Sequence, residues 1–128
     1  MDKEIGMNGV ADLEIYRIAR ELSKEAWNIY KDMSFDIQKI IGHQFVRSTD
    51  SVGANIAEGF GRFHYLDSIK FYYNARGSLQ ETKHRIELLY DREVLSNPIY
   101  KNTLERLEIL SVKLNNFIRA AKKNITKN

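Results

Sequence analysis

The densest run of residues able to do chemistry is Ser51-Val52-Gly53-Ala54-Asn55-Ile56-Ala57-Glu58-Gly59-Phe60-Gly61-Arg62. Asn55 and Glu58 are three apart and share a helix face. Glu58 has the chemistry to bind a metal, exchange a proton or pair with Arg62. A lone carboxylate with no second acid or histidine beside it fits a structural hydrogen-bond network better than a catalytic one. The glycines do not form a phosphate loop, because they close a helix and no Gly-Lys-Ser/Thr follows. His43, His64 and His84 stand apart and none has the i, i+4 partner of a helical metal site. His64 and Asp67 read as the capping turn of a helix. Ser51 and Ser78 have no adjacent base, and the paired Glu-x-x-His motifs of a di-iron bundle are absent. With no cysteine, a thiol nucleophile, a disulfide framework and a thiolate zinc site are excluded. The expectation is a protein with no catalytic residue, no metal and no cofactor: not an enzyme, and with no small-molecule substrate.

Basic residues are the other candidates. Net charge is only +3 from 20 bases and 17 acids, but it is unevenly spread. Residues 1–64 carry eight bases and ten acids, whereas residues 65–128 carry twelve and seven. The last sixteen residues hold Lys113, Arg119, Lys122, Lys123 and Lys127 and no acid. Such an arm suits nucleic acid or an anionic surface. It equally suits a solvated helix end, where cations complement the macrodipole.

Four helices must position these groups. Apolar residues are 43% of the 128-residue chain and the single proline leaves few breaks, which fits one folded helical domain over 1–128. The first helix is expected over about 11–31. There Ile15, Ala19, Leu22, Ala26, Ile29 and Met33 hold one face. Ser34 and Asp36 are available caps for a second helix over about 37–58, with Ile41, Phe45, Val52 and Ile56 inward. Gly53 in that helix suggests a close approach by a neighbour, and Gly59-Phe60-Gly61 suggests a left-handed C-cap. The third helix is expected over about 65–92, on Tyr72, Ala75, Leu79, Thr82, Ile86 and Leu89. Its Gly77-Ser78 again suggests tight packing. Ser96-Asn97-Pro98 opens the fourth, over about 98–123, which carries Thr103, Leu107, Leu110, Leu114, Phe117 and Ala121. Roughly ten N-terminal and five C-terminal residues read as flexible.

Short links between long helices predict an all-α, antiparallel up-down-up-down four-helix bundle. That topology brings Arg62, His64 and Lys70 to the same pole as Arg119, Lys122 and Lys123. The expected phosphate contacts are Arg62, Lys70, Arg119, Lys122 and Lys123. Asp12, Glu14, Glu58 and Asp67 reach the same pole and would dilute them. No apolar stretch has signal-peptide or membrane-span length, so a cytoplasmic location without a membrane partner is expected.

The string Gln44-Phe45-Val46-Arg47 through Ser51, then Asn55-Ile56-Ala57-Glu58-Gly59 and Gly61-Arg62, resembles the 23S rRNA intervening-sequence protein family. Phe71, Ala75, Gly77-Ser78-Leu79 and Glu81 resemble its second motif, so the likeness covers about Trp27 to Tyr90. The resemblance implies a bacterial four-helix bundle that assembles as a ring, often a homopentamer. It gives Arg47, Ser51, Asn55, Glu58, Gly59, Gly61, Gly77 and Ser78 a structural role. A similar branch, the accessory variability determinants of retroelements, binds nucleic acid and a reverse transcriptase. Arg76 places a charge where the family usually has an apolar residue.

Seven Tyr, six Phe and one Trp exceed what a narrow bundle seam needs. Tyr16, Trp27, Tyr30, Phe71, Tyr73 and Tyr100 fall beside the core stripes. They either anchor an oligomer interface or thicken the bundle's own core. The resemblance favours the interface. The functional expectation is an oligomer, by resemblance a pentamer, that binds RNA or DNA. The alternative is a protein-interaction scaffold that binds no nucleic acid.

Overall fold

A computed structural model describes residues 9–62 and 64–127. The expectation of a flexible N-terminal arm falls largely on residues 1–8, outside the described residues. Helix α1 spans Glu14–Lys31. It starts three residues later than the sequence suggests. Val10–Asp12 forms a separate 3-10 turn, and the extended backbone of Leu13 (φ −76°, ψ 126°) breaks the path between the two. Helix α2 is built from three consecutive pieces. These are a first turn, Phe35–Ile37, a π-helical stretch, Gln38–Gly42, and a regular helix, His43–Phe60. Ser34 caps it as expected, its Oγ accepting from the Ile37 N–H at 3.3 Å. Helix α3 spans Tyr65–Asp91, and α4 spans Asn97–Lys127, continuing past the expected end near Lys123.

The side-chain contacts give each neighbouring pair its direction. Lys113 of α4 meets Glu14 at the start of α1, while Arg106 meets Glu21 and Glu25 further along it. Arg76, Lys83 and Glu87 of α3 meet Asn115, Glu108 and Tyr100 of α4 in reverse order. Ser48 of α2 meets Thr82 of α3, and Gly59 meets Tyr72. Tyr30 of α1 meets Gly42, and Ala19 meets Gly53. All four adjacent pairs are therefore antiparallel, which is the up-down-up-down bundle.

Most core residues are those that the helical spacing selects, although Ile29, expected on the inward face of the first helix, is only half-buried. Ile15, Ala19, Leu22 and Ala26 of α1 are buried, as are Phe45, Val52 and Ile56 of α2. The six α3 residues Tyr72, Ala75, Leu79, Thr82, Ile86 and Leu89 are all buried. In α4 the buried row runs Thr103, Leu107, Leu110, Leu114 and then Ile118; Phe117 and Ala121, expected in that row, are only half-buried. The hydroxyls in this core have partners. Thr82 Oγ1 lies 3.0 Å from Ser48 Oγ and 2.9 Å from the Ser78 carbonyl, and the Ser48 and Thr49 hydroxyls donate to the Phe45 carbonyl. Among the described residues, no buried side-chain polar atom lacks a hydrogen-bond partner.

Two glycines permit close helix approach, and they are not the two that the sequence suggests. A Cβ on Gly53 would lie 3.6 Å from Ala19 Cβ, an ordinary contact, and one on Gly77 would meet nothing within 4 Å. The constrained positions are Gly42, whose Cβ would meet the Tyr30 ring at 2.9 Å, and Gly59, whose Cβ would meet the Tyr72 ring at 2.6 Å. Nor does Gly61 cap α2 in the left-handed region. Its φ is −79°, and the helix ends through a bond from its N–H to the Ala57 carbonyl and one from the Arg62 N–H to the Gly59 carbonyl. The left-handed cap lies instead after α3, at Glu93 (φ 59°). There the Val94 N–H reaches back to Leu89 and the Glu93 N–H to Tyr90, as in a Schellman motif.

Two stability predictions follow from this packing. Gly59→Ala should lower stability by about 1–3 kcal/mol, because the buried Tyr72 ring is pinned on its far side by Phe117. Gly77→Ala should raise it by about 1 kcal/mol, from helix propensity alone. Urea unfolding of both variants checks the contrast. Burial also pushes the Tyr72 hydroxyl up to about 12. The folded state therefore holds this proton more tightly than the unfolded one. The resulting stability is present below about pH 10 and is lost as pH rises towards about 12. Circular dichroism melts across that window should show the decline, and Tyr72→Phe should reduce it.

Candidate nucleic-acid interface

The rotation of α3 about its axis decides where the basic residues go. Tyr72 points inward, 5% exposed, and meets Phe117 edge-on at 5.0 Å between ring centroids. Successive helix residues are turned by about 100°, so Phe71 and Tyr73 fall on opposite flanks of α3. Each becomes a platform for cations. On the α2 side, the Arg62 guanidinium lies over the Phe71 ring at 4.6 Å. On the α4 side, Arg76 and Lys122 lie over the Tyr73 ring at 4.7 and 5.7 Å.

The two flanks differ in charge balance. Arg62 is an ion-paired residue, with its Nη2 2.7 Å from Glu58. The α4 flank is a groove of about 480 Å³ between α3 and α4. Arg76, Arg119, Lys122 and Lys123 line it around Tyr73, with Asn115 and the buried Ile118 beneath. Among the described residues, no carboxylate lines it. Arg76 donates to Asn115 Oδ1 at 3.3 Å, and Arg119 to Asn116 Oδ1 at 3.2 Å. These are neutral acceptors, so they orient the guanidinium groups without cancelling their charge. Two of the acids expected to dilute the pole are held elsewhere, Glu14 by Lys113 at 3.2 Å and Glu58 by Arg62.

The predicted cationic set is therefore divided. Arg119, Lys122 and Lys123 come together, while Arg62 sits on the other flank. Lys70 is exposed one turn before Tyr73 and does not line the groove. The missed members are Arg76 and Tyr73. The sequence signal for them was a cation one turn after an aromatic on α3. Placing them opposite Arg119 required the α3–α4 register.

The motif residues of α2 form local contacts, not one joint network. Asn55 donates to the Ser51 carbonyl at 2.9 Å, while Glu58 turns to Arg62. Arg47 is exposed and, with Ser51, lines a second groove of about 450 Å³ between α1 and α2. Trp27, Tyr30 and His43 form its aromatic wall; Trp27 stacks on Tyr30 at 5.2 Å and is 51% exposed. The other aromatic interface candidates have partners within the chain. Tyr16 lies beside Gly53 and below Arg20. Tyr100 stacks on Tyr90 at 3.9 Å and donates to Glu87 at 2.6 Å. That hydrogen bond pushes the Tyr100 hydroxyl up to about 12.

The histidines remain apart, with His43 packed beside Tyr30, His64 preceding α3 and His84 exposed on α3. Among the described residues, no group of three or more His, Cys, Asp or Glu side chains is placed to hold a metal ion. Among the same residues, no helix is long and apolar enough to cross a membrane.

Comparison with known proteins gives this bundle relatives. No curated protein sequence matches it significantly. Among solved structures, it is similar to a protein of unknown function from the S23 ribosomal protein family of Bacteroides thetaiotaomicron. The two share 25% sequence identity and a TM-score of 0.76, over 81% of this chain and 97% of that one. The family model described as 23S rRNA-intervening sequence protein matches residues 11–116. That match takes in α1, α2, α3 and most of α4, so the chain belongs to the 23S rRNA-intervening sequence protein family.

Proposed function

We propose that this chain is a non-enzymatic, homo-oligomeric accessory protein that binds the backbone of RNA or DNA through the α3–α4 groove. The observation that carries this reading is the collection of Arg76, Arg119, Lys122 and Lys123 in one groove that, among the described residues, no carboxylate lines. Cations gathered without acids raise the local potential, and neutralising phosphates there releases counterions. The family's description supports an RNA context. The pentameric ring implied by the family resemblance would multiply the groove fivefold, so that weak contacts in each subunit add by avidity. A scaffold for partner proteins is the second reading. It is favoured by Trp27, whose indole is half exposed on the wall of the α1–α2 groove.

A salt titration separates the two readings. If the four groove cations each neutralise a phosphate, log K should fall against log salt with a slope of about −3 to −4 per protomer on B-DNA. Absence of binding to generic RNA and DNA at low salt would leave the scaffold reading. The double variant Lys122→Glu/Lys123→Glu should weaken binding by more than about tenfold and leave the assembly intact. Native mass spectrometry reads the assembly directly. A multiple of the 15.0 kDa chain is expected at micromolar concentration, and a monomer would refute the oligomer.

A further inference from the structure

The α3–α4 groove offers more than charge. Its cations Arg119, Lys122 and Lys123 stand on α4. Facing them on α3, the half-buried Tyr73 ring carries the Arg76 guanidinium at 4.7 Å. Asn115 lies on the floor, its carboxamide oxygen accepting from Arg76. Three kinds of recognition thus converge in one cleft: point charges for phosphate, a ring and a guanidinium plane for stacking, and a carboxamide for a base edge.

A duplex can use only the first of these. Its bases are already stacked on one another and their pairing edges are occupied, while its phosphates lie on the outside of a wide, stiff cylinder. The groove's volume of about 480 Å³ falls within the range of small-ligand clefts and suits a nucleotide-sized segment. An unpaired nucleotide can enter and present its backbone to the cations and its base face to the ring. Proteins that take single strands combine a basic groove with aromatic or guanidinium stacking in this way.

Resting on the reading of this groove as a nucleic-acid site, we infer that it selects single-stranded over double-stranded nucleic acid, with a phosphate among Arg119, Lys122 and Lys123 and an unpaired base against Tyr73 and Arg76. Lys122 already lies over the same ring at 5.7 Å. Entry of a base therefore requires one cation to swing from the ring face to the incoming phosphate.

The test is fluorescence anisotropy of the full chain with a labelled single-stranded oligonucleotide, alone and annealed to its complement, at low salt. The single strand should bind at least about tenfold more tightly than the duplex. Tyr73→Leu keeps apolar volume but removes the π face, and should weaken single-strand binding by about tenfold with little effect on duplex binding. Tyr73→Phe should retain the preference. Arg76→Gln, at an exposed position that the fold does not depend on, should also weaken single-strand binding more than duplex binding. Duplex binding as tight as single-strand binding, or equal losses on both probes in Tyr73→Leu and Arg76→Gln, would overturn the inference and leave the groove as a plain phosphate site. Binding of neither probe by the wild-type chain would overturn the nucleic-acid reading itself.

Discussion

The position of the Tyr72 ring constrains everything around it. The ring sits where a Cβ on Gly59 would fall and meets Phe117 edge-on, so α2, α3 and α4 are all in register with this one side chain. A larger residue at Gly59 would push α3 outward or turn it. Further along the same seam, Thr82 and Ser48 close together through their hydroxyls, which again permits only small side chains between α2 and α3. Because α3 cannot rotate, Phe71 and Tyr73 must project to either side of it. The division of the basic residues into one paired flank and one open groove follows from that geometry.

Charge is sorted by the same packing. Exposed ion pairs contribute only about 0–1 kcal/mol each, so Arg62–Glu58 and Lys113–Glu14 matter less for stability than for local neutralisation. Each neutralises one acid. The more buried α1–α4 contact lies nearer the other pole, where the 17%-exposed carboxylate of Glu25 accepts from Thr103 and Arg106. There the acids and bases are matched. Between α3 and α4 at the opposite pole, Arg76 and Arg119 find neutral carboxamides as acceptors.

Much of the bundle was legible because helical periodicity is a local property. The α3 stripe from Tyr72 to Leu89 is buried at every position that the spacing chose, and Ser34 caps α2 as its type suggests. Legibility failed where a residue's role depends on what faces it. Gly53 and Gly77 looked like points of tight approach because glycine is unfavourable within a helix, yet Gly53 has only ordinary contacts and Gly77 has nothing within 4 Å, whereas Gly42 and Gly59 have large rings against them. Glycine type reveals permission for a close approach and not its presence. The π-helical stretch Gln38–Gly42 left no pattern in the sequence either; it seats Gly42 beneath Tyr30, whose carbonyl accepts from Gln38 at 2.9 Å.

By itself, then, the amino-acid order determined four helices, their inward faces, their antiparallel succession and the excess of bases in the second half. Each of these follows from spacing along one chain segment or from links too short to permit another path. Only the tertiary structure decided which bases lie together. Arg76 and Arg119 are 43 positions apart, and nothing local relates them. They meet because a ring wedged against a glycine sets the rotation of α3, and because the antiparallel register brings Arg76 level with Asn115, one turn before Arg119. Rotation and register are properties of a packed pair of helices, so they have no signature in either helix alone.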